Sequence, residues 1–243
     1  MILEVAEPYD WPRVLDWLGT RAIPGLEAVR DGTYRRGGLT VTYRPGGGEL
    51  HVEGEADPAI VARVFDAAHD PAALPGDPVF TGARGIRVPG AWSGWELAVR
   101  AVLGQQVSVA GARRTAEKLV AGRGRFPAPA EVAGEELPGM PSARHRALRA
   151  LARAVLEGLD LDPPLDLAAT RAALLALPGF GPWTVEYIAM RALRDPDAWP
   201  ASDLWLRRAT AAGADPERWR PYRAYANLHL WASGSTPPVR AAA

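Results

Sequence analysis

Leu177-Pro178-Gly179-Phe180-Gly181-Pro182-Trp183-Thr184 is the stretch whose reading decides the fold of this chain. Upstream of it, Asp166 to Leu177 has apolar Leu167, Leu174, Leu175 and Leu177 with alanine filling most of the rest, which predicts a short helix. Pro178-Gly179 ends that helix. Gly179 and Gly181 allow backbone angles and close approaches that a side chain would block, and Pro182 suits a first helical turn because it has no N–H to leave unpaired. A second helix then runs from Pro182 to about Leu193. Its N-terminus offers unpaired N–H groups with partial positive charge, a ready site for a phosphate. The bland alternative is a tight turn between two helices with no ligand.

Twenty residues after Trp183, Asp203 stands in Pro200-Ala201-Ser202-Asp203-Leu204, at the start of a third helical run from Leu204 to Ala211. Capping that helix is the commoner job for such a residue. A carboxylate facing a substrate is the other reading, and spacing alone leaves both open.

The rest of the chain divides at a Pro- and Gly-rich connector, Pro71 to Pro89. Before it the pattern is α+β. Ile2-Leu3-Glu4-Val5 predicts a strand and Trp11 to Leu18 a helix. Leu39–Tyr43 and Glu49–Glu53 alternate as a hairpin across Arg44-Pro45-Gly46-Gly47-Gly48, and Ala59 to Ala68 forms an amphipathic helix. After it the chain is helical: Trp92–Leu103, Ser108–Val120, Ser142–Glu157, the hairpin pair, and Pro221–Trp231. The tail from Ser233 to Ala243 is expected to fray.

These segments together resemble the helix-hairpin-helix DNA glycosylase superfamily, and within it the 3-methyladenine DNA glycosylase II (AlkA) type. The resemblance rests on the hairpin, its spacing to Asp203, Leu103-Gly104-Gln105-Gln106-Val107-Ser108, Arg220-Pro221-Tyr222-Arg223-Ala224-Tyr225 leading to Leu230-Trp231, and the opening Pro8-Tyr9-Asp10-Trp11. It runs over nearly the whole chain in the family's order. The fold it implies is mainly α, with an N-terminal α+β domain at 1–70 and two helical lobes flanking a DNA-binding cleft. One lobe, 95–195, carries the helix-hairpin-helix. The other, 71–94 with 196–243, carries the acid.

The activity the resemblance implies is excision of alkylated purines from double-stranded DNA by base flipping, in base excision repair. Asp203 matches the family's catalytic acid, and the hairpin residues Leu177, Gly179, Gly181, Trp183 and Thr184 match its phosphate-binding turn. Trp183, Tyr187 and Trp231 match the base pocket, with Trp17 closing one side. Gln105 and Gln106 match the segment that fills the vacated space in the duplex; at Gln106 the best-known enzyme of this type has leucine. In bifunctional relatives a lysine nucleophile stands at the end of the hairpin, where this chain has Trp183. The only lysine, Lys118, is distant in sequence, so hydrolysis without a lyase step is expected.

One carboxylate suits that reaction. Ordinary glycosidases use two because a neutral leaving group needs a proton while the sugar becomes cation-like. An N-alkylated purine already carries positive charge and departs neutral, so a single acid that stabilises the sugar cation or orients water suffices. Glu186 is the nearest second acid, and its commoner role is that of a solvated or salt-bridged helix residue. Aromatic faces hold a flipped cationic base well, and the chain has nine tryptophans. Taken singly, large aromatics more often fill cores. Two rival functions stay open: a glycosylase for neutral etheno or deaminated bases, and a non-catalytic DNA-binding protein.

Composition sets bounds. With 243 residues and 48% hydrophobic content, the chain can bury a substantial core. No run of about 18 apolar residues and no signal-peptide pattern is present, so a cytoplasmic protein and no membrane partner are expected, with a monomer as the default. The absence of cysteine excludes disulfides and iron–sulfur ligation, and His51, His69, His145 and His229 have no metal-ligand spacing. His229, near Trp231, has a surface or capping role as its commoner reading. No metal is assigned and no organic or redox cofactor is expected; by family analogy a monovalent cation bridges the hairpin carbonyls and a DNA phosphate. The net charge of zero hides an asymmetry. Residues 1–80 carry 7 basic and 13 acidic residues, and 81–243 carry 21 and 15, so the half with the motifs is basic. Arg113, Arg114, Arg207 and Arg208 are the candidate phosphate contacts.

Overall fold

The computed structural model describes residues 1–134, 137 and 139–233; apart from Ser233, the tail expected to fray lies outside the described residues. The N-terminal part is a five-stranded antiparallel sheet in the order β1-β5-β4-β3-β2, with β1 at Ile2–Glu4, β2 at Glu27–Arg30, β3 at Thr33–Arg36, β4 at Leu39–Arg44 and β5 at Glu49–Glu53. Alternation sets the inner face: Leu39 and Val41 of β4 and Leu50 and Val52 of β5 are buried, and the register pairs Val41 with Val52. Helices α1 (Trp11–Arg21) and α2 (Pro58–Phe65) cover that face with Trp11, Val14, Leu18, Val61 and Phe65. Both start on an aspartate whose side chain takes a backbone N–H of the first turn: Asp10 from Arg13 at 3.1 Å and Asp57 from Ala59 at 2.8 Å.

The helical part comprises α3 (Gly94–Leu103), α4 (Val109–Val120), α5 (Pro129–Gly134), α6 (Ser142–Leu156), α7 (Leu167–Leu175), α8 (Pro182–Arg191), α9 (Leu204–Ala211) and α10 (Arg223–Ser233). No described helix is long and apolar enough to cross a membrane. Helix α3 is the central strut, packing against α6 and α8. Its residues Leu97, Ala98, Val99, Val102 and Leu103 are all buried, each large apolar one contributing about 1.5–3 kcal/mol relative to exposure. At its start a side chain on Gly94 would meet the Leu161 carbonyl oxygen at 2.0 Å, and Asp162 accepts the Gly94 N–H at 3.0 Å. A glycine is required there because backbone lies against backbone.

The two lobes expected from the family pattern share one continuous apolar cluster, which reaches from Ile23 and Leu26 through α3 to Leu228 and Leu230. Three elements differ from the sequence expectation. Strands β2 and β3 and the short α5 were not anticipated, and the connector 71–89 folds into two 3-10 turns at Pro71–Ala73 and Pro78–Phe80, each capped by the preceding aspartate.

Candidate active site

Three helix termini meet at one place. Helix α8 begins at the hairpin, where Gly179 takes the left-handed conformation (φ +84°) that ends the turn after α7. Gly181 is the N-cap residue and no side chain caps the α8 N-terminus, so first-turn N–H groups remain open beside the exposed Gly179 and Gly181. On α8, Trp183 and Tyr187 lie one turn apart and stack at 5.2 Å between ring centroids, 9° from parallel. Helix α10 brings Trp231 to within 6.4 Å of the Tyr187 ring.

Asp203 opens α9, where it caps the helix and also lines a cavity. Its Oδ1 accepts the Trp205 N–H at 2.9 Å and the Leu206 N–H at 3.4 Å, which is capping. The same carboxylate accepts the indole N–H of Trp231 at 3.1 Å and of Trp183 at 3.3 Å. Two aromatic walls therefore aim the acid. It forms no ion pair among the described contacts and is half-buried. Glu186, by contrast, is committed: Arg171 donates to it at 2.8 Å and the Trp199 N–H at 3.0 Å, so it is a salt-bridged helix residue.

In front of Asp203 lies a cavity of about 410 Å³ lined by Trp183, Tyr187, Trp231, Trp205, Arg21 and Arg191 among others. Trp17 is not in its lining. That ring stacks flat behind Trp231, with centroids 5.8 Å apart and planes 11° from parallel, and faces a second cavity of about 330 Å³. Aromatic pairs in direct contact have centroids about 4.5–7 Å apart, so no base fits between Trp17 and Trp231. The expectation that Trp17 closes one side of the base pocket is corrected: it backs Trp231 and carries Arg21, whose guanidinium lies 3.5 Å above it.

The wedge pair also divides. Gln105 turns its amide into the hairpin, donating to the Gly179 carbonyl at 2.8 Å and to the Thr184 hydroxyl at 2.9 Å. Arg144 holds the Gln105 carbonyl at 2.8 Å. Both amide protons are thus engaged, and Gln105 braces the turn. Gln106 is the exposed member, in the left-handed region at φ +58°, next to the exposed Val107.

Comparison with known proteins fits this geometry. A family model described as the AlkA N-terminal domain matches residues 1–75. The DNA-3-methyladenine glycosylase 2 of Escherichia coli is 32% identical to this chain, with 96% of the chain and 97% of that enzyme covered. The chain belongs to the AlkA family of DNA-3-methyladenine glycosylases. A Mycobacterium tuberculosis protein named probable bifunctional transcriptional activator/DNA repair enzyme AlkA is 38% identical over 97% of the chain, which spans 57% of that protein's length. The 3-methyladenine DNA-glycosylase of Archaeoglobus fulgidus shares the fold, with a TM-score of 0.78 at 17% identity over 96% of this chain and 97% of that one.

Several lining residues of this AlkA-family site went unnoticed in sequence. Trp205 follows the acid by two positions and lies under Arg208, 5.3 Å from its ring. Arg191 continues the Trp183, Tyr187 spacing by four and was legible as the third member of that helix face. Its Nη1 donates to the Tyr187 hydroxyl at 2.8 Å, while Nε and Nη2 go to the Pro89 and Gly90 carbonyls at 2.7 and 2.9 Å. Burial would raise the Tyr187 pKa, but Arg191 and Arg21 outweigh it and hold it below the usual tyrosine value. His229 neither caps nor reaches the cavity. It is buried edge-on against Phe80 at 5.3 Å, and burial pushes its pKa down to about 4.

Proposed function

We propose that this chain is a monofunctional DNA glycosylase that takes an alkylated purine nucleotide out of the duplex stack and hydrolyses its N-glycosidic bond. The observation that carries the reading is Asp203, aimed by two indole N–H groups at the mouth of an aromatic cavity and unpaired with any cation among the described contacts. As the bond from C1′ to the base breaks, positive charge develops on the sugar. A fixed carboxylate stabilises that charge or takes the proton of the attacking water. Trp183, Tyr187 and Trp231 supply faces on which the flipped base stacks.

The partner in this reading is duplex DNA. The uncapped start of α8 with Gly179 and Gly181 receives a backbone phosphate, and Arg113 in the cavity lining, Arg208 over Trp205, and the exposed Arg114 and Arg207 have no acid partner among the described ion pairs. Gln106 enters the space the base leaves, its amide able to hydrogen-bond the orphaned partner base. The hairpin's carbonyl oxygens are the donor type that a hard monovalent cation takes, and Leu177, whose carbonyl faces the Phe180 N–H at 3.2 Å, lies in that turn. The ion's role there would be electrostatic, drawing a phosphate oxygen to the turn.

Lys118 does not line the cavity; its ammonium lies beside Gly139. A Schiff base with the sugar therefore has no amine near Asp203, and the product is an intact abasic strand. The test is a duplex oligonucleotide with one N7-methylguanine, incubated with the protein and resolved with and without alkali. Cleavage only after alkali is expected. Strand scission without alkali would overturn the monofunctional reading, and no abasic site would overturn the alkylated-purine reading.

A further inference from the structure

Eight large apolar side chains are exposed among the described residues, and three of them, Val107, Val109 and Trp205, also line the Asp203 cavity. A lining residue that stays exposed stands at the opening. Scattered exposed apolar residues need no explanation, but a group of them at one opening does. Val107 and Val109 come from the end of the α3–α4 turn and the start of α4, beside Gln106, and Trp205 comes from the first turn of α9, with the exposed Leu204 next to it.

Trp205 is the largest of the group, and 42% of it faces solvent. Its indole N–H has no partner among the described hydrogen bonds, whereas those of Trp183 and Trp231 go to Asp203 at 3.3 and 3.1 Å. One guanidinium, that of Arg208, lies 5.3 Å from its ring centroid. The backbone is fixed, because Asp203 accepts the Trp205 N–H at 2.9 Å. A ring this open, tied this closely to the acid, is presented to something outside the protein.

Charge says what covers it. Arg113 in the lining, Arg207 and Arg208 have no acid partner among the described ion pairs, and the lining acids Glu27 and Glu96 are already paired with Arg36 and Arg100. A protein face would have to bring matching acids. A nucleic-acid strand brings a phosphate at every nucleotide beside a flat ring that stacks on any aromatic face.

Reach then selects the nucleotide. Two residues of chain span at most about 7 Å, and a strand rises about 3.4 Å per nucleotide. With the flipped sugar at Asp203, Trp205 therefore meets the adjoining nucleotide of the same strand. That neighbour has lost a stacking partner, and Gln106, an amide, offers the opposite base hydrogen bonds but offers the neighbour no ring. Resting on the glycosylase reading above, we propose that Trp205 is a second contact of the cleft with the lesion strand: its ring packs on the nucleotide next to the flipped one, and Arg208 meets the phosphate beside it.

The test uses duplexes that hold a tetrahydrofuran abasic analogue with 2-aminopurine immediately 5′ or immediately 3′ to it. This base fluoresces when unstacked and is quenched on an indole. The wild-type complex is expected to be dark at one of the two positions. Trp205→Ala should brighten that position several-fold and weaken binding about tenfold, the loss of one stacked base. Trp205→Phe, which keeps a ring, should retain most of the affinity. Because Trp205 is exposed, melting temperatures of both variants should match wild type. Fluorescence unchanged at both positions in Trp205→Ala overturns this proposal alone. Failure of the wild-type protein to bind either duplex overturns the glycosylase reading with it.

Discussion

Two sides of one cavity treat charge in opposite ways. Where the sheet meets α3, Arg36 reaches Glu27 at 2.6 Å and Glu96 at 2.5 Å, and Arg100 closes the group on the same two acids. Burial alone would raise the Glu96 pKa, but Arg100 and Arg36 outweigh it and hold it below the usual carboxylate range. Every charge there has a partner, and the result is a joint. On the hairpin side the acid and the arginines form no ion pair with each other, Asp203 resting on indole N–H groups, Arg191 on a tyrosine hydroxyl and Arg21 on groups of its own helix. Charges left unpaired across a cavity are what a reacting bond can use. Pairing builds the scaffold and separation builds the chemistry.

Breaking the joint should have the largest effect on stability. Glu96→Ala leaves Arg36 and Arg100 short of a buried partner and is expected to cost about 3–5 kcal/mol in denaturant unfolding. A loss below about 1 kcal/mol would mean that solvent already screens the cluster. On the other side, Trp231→Phe keeps a ring against Trp17 and removes one N–H from Asp203, so single-turnover excision should fall about tenfold with little change in stability. An unchanged rate would show that Trp183 alone aims the acid.

A smaller effect distinguishes the two sides by pH. His69, stacked on Tyr225 at 3.9 Å, and His229 are buried neutral, their pKa values pushed down to about 4 by burial. The unfolded chain protonates its histidines near 6.5, so below that pH it binds more protons than the folded chain. Stability from these residues is complete above about pH 6.5 and drains as pH falls towards 4. Replacing His229 with Leu should flatten that slope; a slope as steep as wild type would remove His229 from the account. Smallest of all, Glu186→Gln weakens its pair with Arg171 by about 1 kcal/mol or less and should leave excision measurable at a substantial rate, in contrast to any change at Asp203.

The sequence was most readable where local rules and tertiary needs agree. The β4–β5 hairpin showed itself because Leu39, Val41, Leu50 and Val52 alternate with polar residues and all face the core. The Gly179/Gly181 turn and the Asp203 spacing were legible for the same reason. Strands β2 and β3 were not, because Glu27-Ala28-Val29-Arg30 and Thr33-Tyr34-Arg35-Arg36 carry too much charge to read as strand; their ion pairs with α3 and the burial of Tyr34 hold them. Trp17 was placed in the pocket by resemblance, and only packing shows it behind Trp231. Arg191 was legible only as a position on the Trp183 and Tyr187 face, and Arg21 was invisible because an arginine usually solubilises a helix; it takes the fold to bring both into the cavity lining. That Gln105 braces the hairpin was not legible either, because its partner Gly179 lies 74 positions away.

The most direct test of the central claim is Asp203→Asn. Asparagine caps a helix about as well as aspartate, so α9 and the melting temperature should be nearly unchanged while the carboxylate charge is gone. Single-turnover excision of N7-methylguanine is predicted to fall by at least about a hundredfold. Excision at the wild-type rate by a variant of wild-type stability would show that Asp203 only caps a helix, and would contradict the account.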